Sequence, residues 1–187
     1  MANISYVTPA RVEDAECRRW LEDAIAAGKP GPEIQAIRAH VPGVMRSFTK
    51  TREWIYHSGV LDYELKELLR AYIALSADCG YCARQGTAAS FDDRDKDELF
   101  NYEQSDRFDA RQKVALRYAD AIMWDSQSAA TDEALWKELR EHFSEPEIVE
   151  LGYWVGFTFG GQRWIKTLGA TQGELAEAIR RESVEVR

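Results

Sequence analysis

Cysteine, long apolar runs and basic charge are all scarce in this sequence. The 187 residues include three cysteines and carry a formal net charge of −8. An acidic balance of this size disfavours a nucleic-acid groove or an anionic membrane surface as a partner. No apolar run approaches the roughly 20 residues that a membrane helix needs. We therefore predict a protein that contacts neither nucleic acid nor membrane.

A secretory signal is also missing from the amino terminus. The segment MANISYVTPARVEDAE has neither the basic start nor the apolar stretch of such a signal. We therefore expect a cytoplasmic protein in a reducing compartment. In that setting a Cys-x-x-Cys pair indicates redox or metal chemistry rather than a structural crosslink. Cys79 and Cys82 form one such pair in this chain.

Strand signals are nearly absent, because no two alternating runs are joined by a tight Asn-Gly or Asp-Gly turn. Apolar residues instead recur at steps of three and four, most clearly in residues 61–77. Asp62 is placed to cap that helix, and Asp78 to cap the next one, over residues 79–91. Residues 144–169 are the longest helical candidate. From Val149 to Phe159 this stretch is apolar on nearly all sides, which predicts a buried central helix.

These patterns together predict an all-α bundle of roughly eight helices. The sequence contains no internal repeat, low-complexity block or evident linker. We therefore predict a single domain over residues 1–187, with residues 1–40 as an N-terminal helical extension.

Three interpretations fit the pair formed by Cys79 and Cys82. A structural zinc site needs four ligands, and neither Cys17 nor the three scattered histidines repeat the required spacing. Two inert, packed thiols are the second interpretation, since free cysteine is often buried. The third is dithiol chemistry. With Asp78 as the cap, the helix dipole would favour a thiolate, and a cysteine one turn away could resolve a sulfenic acid.

The residues around the pair resemble a known signature. The segment LDYELKELLRAYIALSADCGYCARQGTAAS, residues 61–90, is similar to the signature of the alkylhydroperoxidase D-like (AhpD-like) and carboxymuconolactone decarboxylase superfamily. Glu67 stands at the glutamate position of that signature, and Cys79 and Cys82 match its cysteine pair. The resemblance extends from about Val41 to Gly169 and so covers most of the chain.

The resemblance implies an AhpD-like helical bundle and a thiol-dependent peroxidase. In that reaction Cys82 would attack a hydroperoxide, Cys79 would resolve the sulfenic acid, and an external dithiol would reduce the resulting disulfide. Glu67 would lie against the cysteines and act as a base through a water. The resemblance implies neither a metal nor an organic cofactor. It also implies a homo-oligomer, as a trimer or hexamer, with a dimer as the alternative.

One position departs from the signature. Gly86 replaces the histidine that follows the cysteine pair in the family, and glycine cannot relay a proton. Two alternatives therefore stay open: a carboxymuconolactone decarboxylase-like lyase, and a non-catalytic redox-sensing or structural protein. His57, the histidine nearest in sequence, is interpreted as a partly exposed residue at a helix end. Apart from the resemblance, the acidic and basic residues around Glu67 would indicate a solvated helix face.

Overall fold

The computed structural model describes residues 2–85 and 97–185. Gly86 and the end of the helix predicted over residues 79–91 lie outside the described residues. The chain divides into two compact units, Met1–Arg52 with Trp164–Arg187, and Glu53–Arg163. The single domain predicted over residues 1–187 stays a prediction.

Every regular element in the two described ranges is helical, which confirms the predicted all-α fold. Eight of the α-helices there have seven residues or more, in agreement with the roughly eight predicted. The α-helices are α1 (Ala15–Ala27), α2 (Pro32–Arg38), α3 (Pro42–Thr51), α4 (Tyr63–Ser76), α5 (Gly80–Ala83), α6 (Ala110–Trp124), α7 (Ser126–Ala129), α8 (Glu133–His142), α9 (Glu145–Leu168) and α10 (Glu174–Glu185). A π-helical turn spans Arg52–Tyr56, and 3-10 turns span Pro9–Arg11 and Leu99–Asn101. Within these ranges no helix is both long enough and apolar enough to span a bilayer.

Aspartates cap several of these helices. The Asp62 side chain accepts the Leu65 backbone N–H at 2.7 Å, which confirms the predicted cap of α4. Asp132 accepts the Leu135 N–H at 2.9 Å and caps α8 in the same way. A carboxylate at this position satisfies an N–H group that would otherwise have no partner, and it favours the helix electrostatically. Local chemistry therefore determines where these helices begin.

The first unit has its own apolar core, to which α1, α2, α3 and α10 contribute. Leu21, Met45 and Leu175 are almost completely buried in it, together with Cys17. Burial raises the pKa of the Cys17 thiol to about 11. Since the thiolate is the reactive form, Cys17 is an apolar core residue with little nucleophilic character at neutral pH.

The second unit is built around α4. Every residue of α4 from position 65 to position 74 is buried, so this helix is enclosed on all sides. Leu69 and Ile73 pack in one cluster with Leu116 of α6, Leu139 of α8 and Leu151 of α9. Burial of such side chains contributes about 25 cal/mol for each Å² removed from water. The rigid helix at the centre also carries Glu67.

The expectation that α9 is buried on all sides is wrong. Val149 is 72% exposed and Tyr153 is 51% exposed, whereas Leu151, Trp154 and Val155 are buried. A helix turns about 100° per residue, so one side of α9 can pack on the core while the other meets solvent. Hydrophobic content alone does not distinguish the two sides when both carry apolar residues.

The buried Glu150 carboxylate joins α9 both to α4 and to the turn before it. The Glu150 carboxylate accepts the backbone N–H groups of Val60 at 2.6 Å and Leu61 at 3.2 Å. It also accepts from Lys66 Nζ at 3.1 Å. Gly59 lies against this carboxylate, and an added Cβ would overlap its oxygens. The glycine is therefore required by the close approach of the backbone to Glu150.

Gly59→Ala is expected to lower the free energy of unfolding by about 1–3 kcal/mol, because displacing Glu150 leaves buried polar groups without partners. Urea denaturation measures this loss. Gly156→Ala is the matched control: nothing lies within 4 Å of an added Cβ there, and alanine favours the helix by up to about 1 kcal/mol. An equal response of the two variants would contradict the prediction.

Candidate functional site

Cys79 and Cys82 are joined in a disulfide, with their Cα atoms 5.3 Å apart. Cys79 is 1% exposed and Cys82 is 4% exposed. The four-residue helix α5, Gly80–Ala83, holds the two cysteines one turn apart. The sequence pair is therefore a buried disulfide.

The prediction that Asp78 caps this helix is wrong. Cys79 itself is the N-cap, and its sulfur accepts the Cys82 backbone N–H at 3.4 Å. Asp78 has a φ of +50°, in the left-handed region that aspartate tolerates better than most residues. Asp78 lies between the end of α4 at Ser76 and the start of α5 at Gly80. Residues 84–85 are not helical either, since α5 ends at Ala83.

Glu67 is completely buried, and the same is nearly true of Lys66 beside it. The interpretation of this stretch as a solvated face is therefore wrong. The Arg70 guanidinium donates to Glu67 through Nε at 2.6 Å and through Nη2 at 3.4 Å. The Tyr56 hydroxyl donates to the same carboxylate. Three donors thus satisfy a carboxylate that has no access to solvent, as burial of a charge requires.

Arg70 lies in the candidate site, although the sequence alone did not indicate it. Besides its bonds to Glu67, it donates from Nη1 to the backbone carbonyl of Cys82 at 3.0 Å. Its Nη2 donates to the carbonyl of Gln85 at 3.3 Å. The spacing of Glu67 and Arg70 is typical of a helical ion pair. Nothing in that spacing indicates the contacts to α5 and the residues after it. One guanidinium therefore connects the buried carboxylate to the cysteine turn.

Tyr56 extends the network on the other side of Glu67. It lies at the end of the π-helical turn, 3% exposed, and its ring stacks on Trp154 with the centroids 4.9 Å apart. The hydroxyl oxygens of Tyr56 and Tyr63 are 3.1 Å apart. Burial, followed by the nearby Glu67 charge, raises the pKa of Tyr56 far above its ordinary value. Tyr56 is therefore a neutral hydrogen-bond donor at physiological pH.

Side chains of α9 fix the backbone of α4 beneath the site. Trp154 Nε1 donates to the carbonyl of Lys66 at 3.0 Å, and Gln162 Nε2 donates to the carbonyl of Arg70 at 3.1 Å. Thr158 lies between them on the same helix face and is also buried. The oxygens Thr158 Oγ1 and Gln162 Oε1 have no hydrogen-bond partner among the described residues.

His57 is exposed, as predicted for a residue at a helix end. Its ring makes an edge contact with Tyr56, with centroids 4.6 Å apart, and stacks on Tyr63 at 6.0 Å. The structure therefore places this histidine beside the tyrosines. Among residues 2–85 and 97–185, no three His, Cys, Asp or Glu side chains are grouped so as to hold a metal ion.

Comparison with known proteins gives relatives in sequence and in structure. No family model matches the chain. Two uncharacterized proteins of Mycobacterium tuberculosis, from strains CDC 1551 / Oshkosh and ATCC 25618 / H37Rv, are each 34% identical over 97 residues. That match covers 50% of this chain and 34% of the relatives, so the chain spans about a third of the length of the curated proteins it matches.

Two solved structures have similar folds. A peroxidase-related protein from Ralstonia eutropha JMP134, described as an alkylhydroperoxidase AhpD core, has a TM-score of 0.74 and 20% identity, covering 93% of this chain and 94% of that one. A protein of unknown function from Agrobacterium tumefaciens, described as a candidate antioxidant defence protein AhpD, has a TM-score of 0.62 and 15% identity. That match covers 71% of this chain and 92% of the Agrobacterium protein. The chain therefore has the all-α fold of AhpD-like proteins.

Proposed function

We propose that this protein is a thiol-dependent, peroxidase-like oxidoreductase that reduces hydroperoxides with Cys79 and Cys82. The observation that carries the proposal is the buried Cys79–Cys82 disulfide, held by an Arg70–Glu67 pair within an AhpD-like fold. The described relation of the Ralstonia structure to peroxidases supports the same chemistry.

The proposed reaction consumes one hydroperoxide and two thiols. The Cys82 thiolate attacks a peroxide oxygen, so an S–O bond forms as the O–O bond breaks, and the alkoxide that leaves takes up a proton to become an alcohol. Cys79 then attacks the sulfenic acid sulfur, which forms the disulfide and releases water. An external dithiol supplies two electrons and two protons to restore both thiols, and is itself oxidised to a disulfide.

The contacts of the site supply two of the requirements of this reaction. Arg70 donates to the Cys82 carbonyl and so brings a guanidinium to the cysteine turn, where a positive charge would favour a thiolate. The Cys82 backbone N–H points to the sulfur of Cys79. It can therefore stabilise the Cys79 thiolate that leaves when the external dithiol attacks Cys82. The buried Glu67 is the group proposed to accept the proton of the reacting thiol, through a water.

Mass spectrometry after treatment with hydrogen peroxide tests this proposal. Fully reduced protein is expected to lose two hydrogen atoms within the peptide containing Cys79 and Cys82, after one equivalent of peroxide. Cys17 is expected to stay a free thiol because it is buried and has a raised pKa. An unchanged mass at the pair would overturn the proposed function. If the disulfide forms but added dithiols do not sustain further consumption of peroxide, the redox-sensing alternative would be favoured instead.

A further inference from the structure

A chain of hydrogen-bonded hydroxyls connects the surface of the second unit to its buried carboxylate. Tyr63, at the start of α4, is 37% exposed, whereas Tyr56 is 3% and Glu67 is 0% exposed. Their polar atoms follow one another in that order, from the Tyr63 hydroxyl to the Tyr56 hydroxyl and then to Glu67 Oε1. Such a gradient of exposure along a continuous hydrogen-bond chain is the arrangement that proton transfer between solvent and a buried group requires.

The position of Tyr56 gives the chain two orientations. Its single hydroxyl proton lies within hydrogen-bond distance of both Glu67 Oε1 and the Tyr63 oxygen. When Glu67 is a carboxylate, Tyr56 donates to it and Tyr63 donates to Tyr56. When Glu67 holds a proton, Glu67 donates to Tyr56 and the Tyr56 proton turns toward Tyr63. A hydroxyl can donate and accept at once, so both orientations keep every group paired.

We infer that Tyr56 and Tyr63 form a proton relay between Glu67 and solvent, which replaces the relay that a histidine at position 86 would provide. The inference rests on the proposed function. The S–H bond of Cys82 breaks and its electron pair stays on sulfur, while the proton passes to Glu67. Glu67 then gives a proton to Tyr56, Tyr56 gives its own to Tyr63, and Tyr63 gives its own to water. Neither tyrosine gains or loses net charge.

The groups that face this chain are compatible with the relay. Arg70 donates both to Glu67 and to the Cys82 carbonyl, so one guanidinium connects the buried end of the relay to the cysteine turn. His57 faces the rings of both tyrosines at the solvent end. Trp154 stacks on Tyr56 and excludes water from that side of the ring. The raised pKa of Tyr56 keeps its proton in place between transfers.

The rate of peroxide-dependent disulfide formation tests the relay, with hydrogen peroxide as the oxidant. Tyr63→Phe is expected to lower this rate at neutral pH by at least ~10-fold, since a positioned acid-base group accelerates a reaction by about 10²–10⁴-fold. Tyr56→Phe is expected to lower it similarly. When two residues act in series on one proton, the effects of their substitutions on the rate are not additive. The double variant should therefore be no slower than the slower single variant.

A pH profile separates the relay from a structural role. As the pH rises, hydroxide removes the thiol proton without the relay, so the Tyr63→Phe rate should approach that of the wild-type protein. Tyr63 touches neither cysteine, and a structural defect would persist at every pH. Tyr72→Phe is the matched control. This variant also removes a phenol that donates to a carboxylate, since the Tyr72 hydroxyl donates to Asp120 at 2.5 Å. Tyr72 lies outside the chain of hydroxyls, so Tyr72→Phe should leave the rate unchanged.

The outcomes distinguish the relay from the function on which it rests. Wild-type protein that forms no disulfide with peroxide would overturn the proposed function and the relay together. If the wild-type protein forms the disulfide and Tyr63→Phe forms it equally fast at neutral pH, the relay alone would be overturned. A slow Tyr63→Phe rate that does not recover at high pH would also overturn it. Urea denaturation of Tyr63→Phe, with a midpoint equal to that of the wild-type protein, verifies that the variant is folded.

Discussion

Cys82→Ser is expected to reduce the rate of hydroperoxide consumption by at least ~100-fold, because the variant retains no nucleophile at the proposed point of attack. Serine keeps nearly the same size in a site that is 4% exposed, so the fold should be retained. Consumption of hydrogen peroxide in the presence of a small dithiol is the measurement. A variant that consumes peroxide at the wild-type rate would exclude Cys82 as the attacking residue.

Two further cysteine variants sharpen the assignment of roles. Cys79→Ser is expected to accumulate a sulfenic acid on Cys82, detected as a gain of one oxygen atom and trapped with dimedone. If the sulfenic acid is instead trapped in Cys82→Ser, Cys79 is the attacking residue and Cys82 the resolving one. Cys17→Ala is the control, because Cys17 lies in the core of the first unit and forms no disulfide. Activity that survives loss of both Cys79 and Cys82 would favour the lyase alternative.

Arg70→Met is expected to lower the free energy of unfolding by about 3–5 kcal/mol, which is the range found when one partner of a buried ion pair is removed. The variant leaves Glu67 with the Tyr56 hydroxyl as a donor but without the neutralising charge of Arg70. It also leaves the carbonyls of Cys82 and Gln85 without their donor. Urea denaturation of oxidised protein, extrapolated to water, measures the loss.

An exposed arginine provides the matched control for this prediction. Arg117 forms an ion pair with Glu138 in the same unit, and both side chains are about 40% exposed. Arg117→Met is expected to cost about 0–1 kcal/mol, because solvent screens such a pair. Losses of similar size in the two variants would contradict the assigned role of Arg70. A loss below about 1 kcal/mol in Arg70→Met would do the same.

Short-range patterns were sufficient for much of the secondary structure. The cap at Asp62 and the apolar periodicity of α4 are local features, and the structure confirms them. The misplaced cap at Asp78 has a local cause too. Asp78 has a left-handed conformation, so Cys79 becomes the N-cap in its place. Aspartate is common both at N-caps and in the left-handed conformation. Residue type alone does not distinguish the two.

The environment of Glu67 was beyond local patterns. In sequence it stands in a charged run that is typical of a solvated face, and only its resemblance to a family signature indicated a site. In the structure, α6, α8 and α9 pack with α4 in one core and leave Lys66 and Glu67 buried. Lys66 is then paired with Glu150, 84 residues away, and Glu67 accepts from Tyr56 in addition to its neighbour Arg70. Of these three partners, only Arg70 stands at a spacing that the sequence itself indicates.

The sequence by itself determined an all-helical chain with one Cys-x-x-Cys pair, because helix periodicity, caps and cysteine spacing are read over a few residues. Only the tertiary structure decided that Arg70 connects Glu67 to Cys82 and that Tyr56 and Tyr63 extend this network to the surface. The physical reason is burial. A charge removed from water must find partners wherever packing provides them, and the packing of α4 among the other helices is a property of the whole unit.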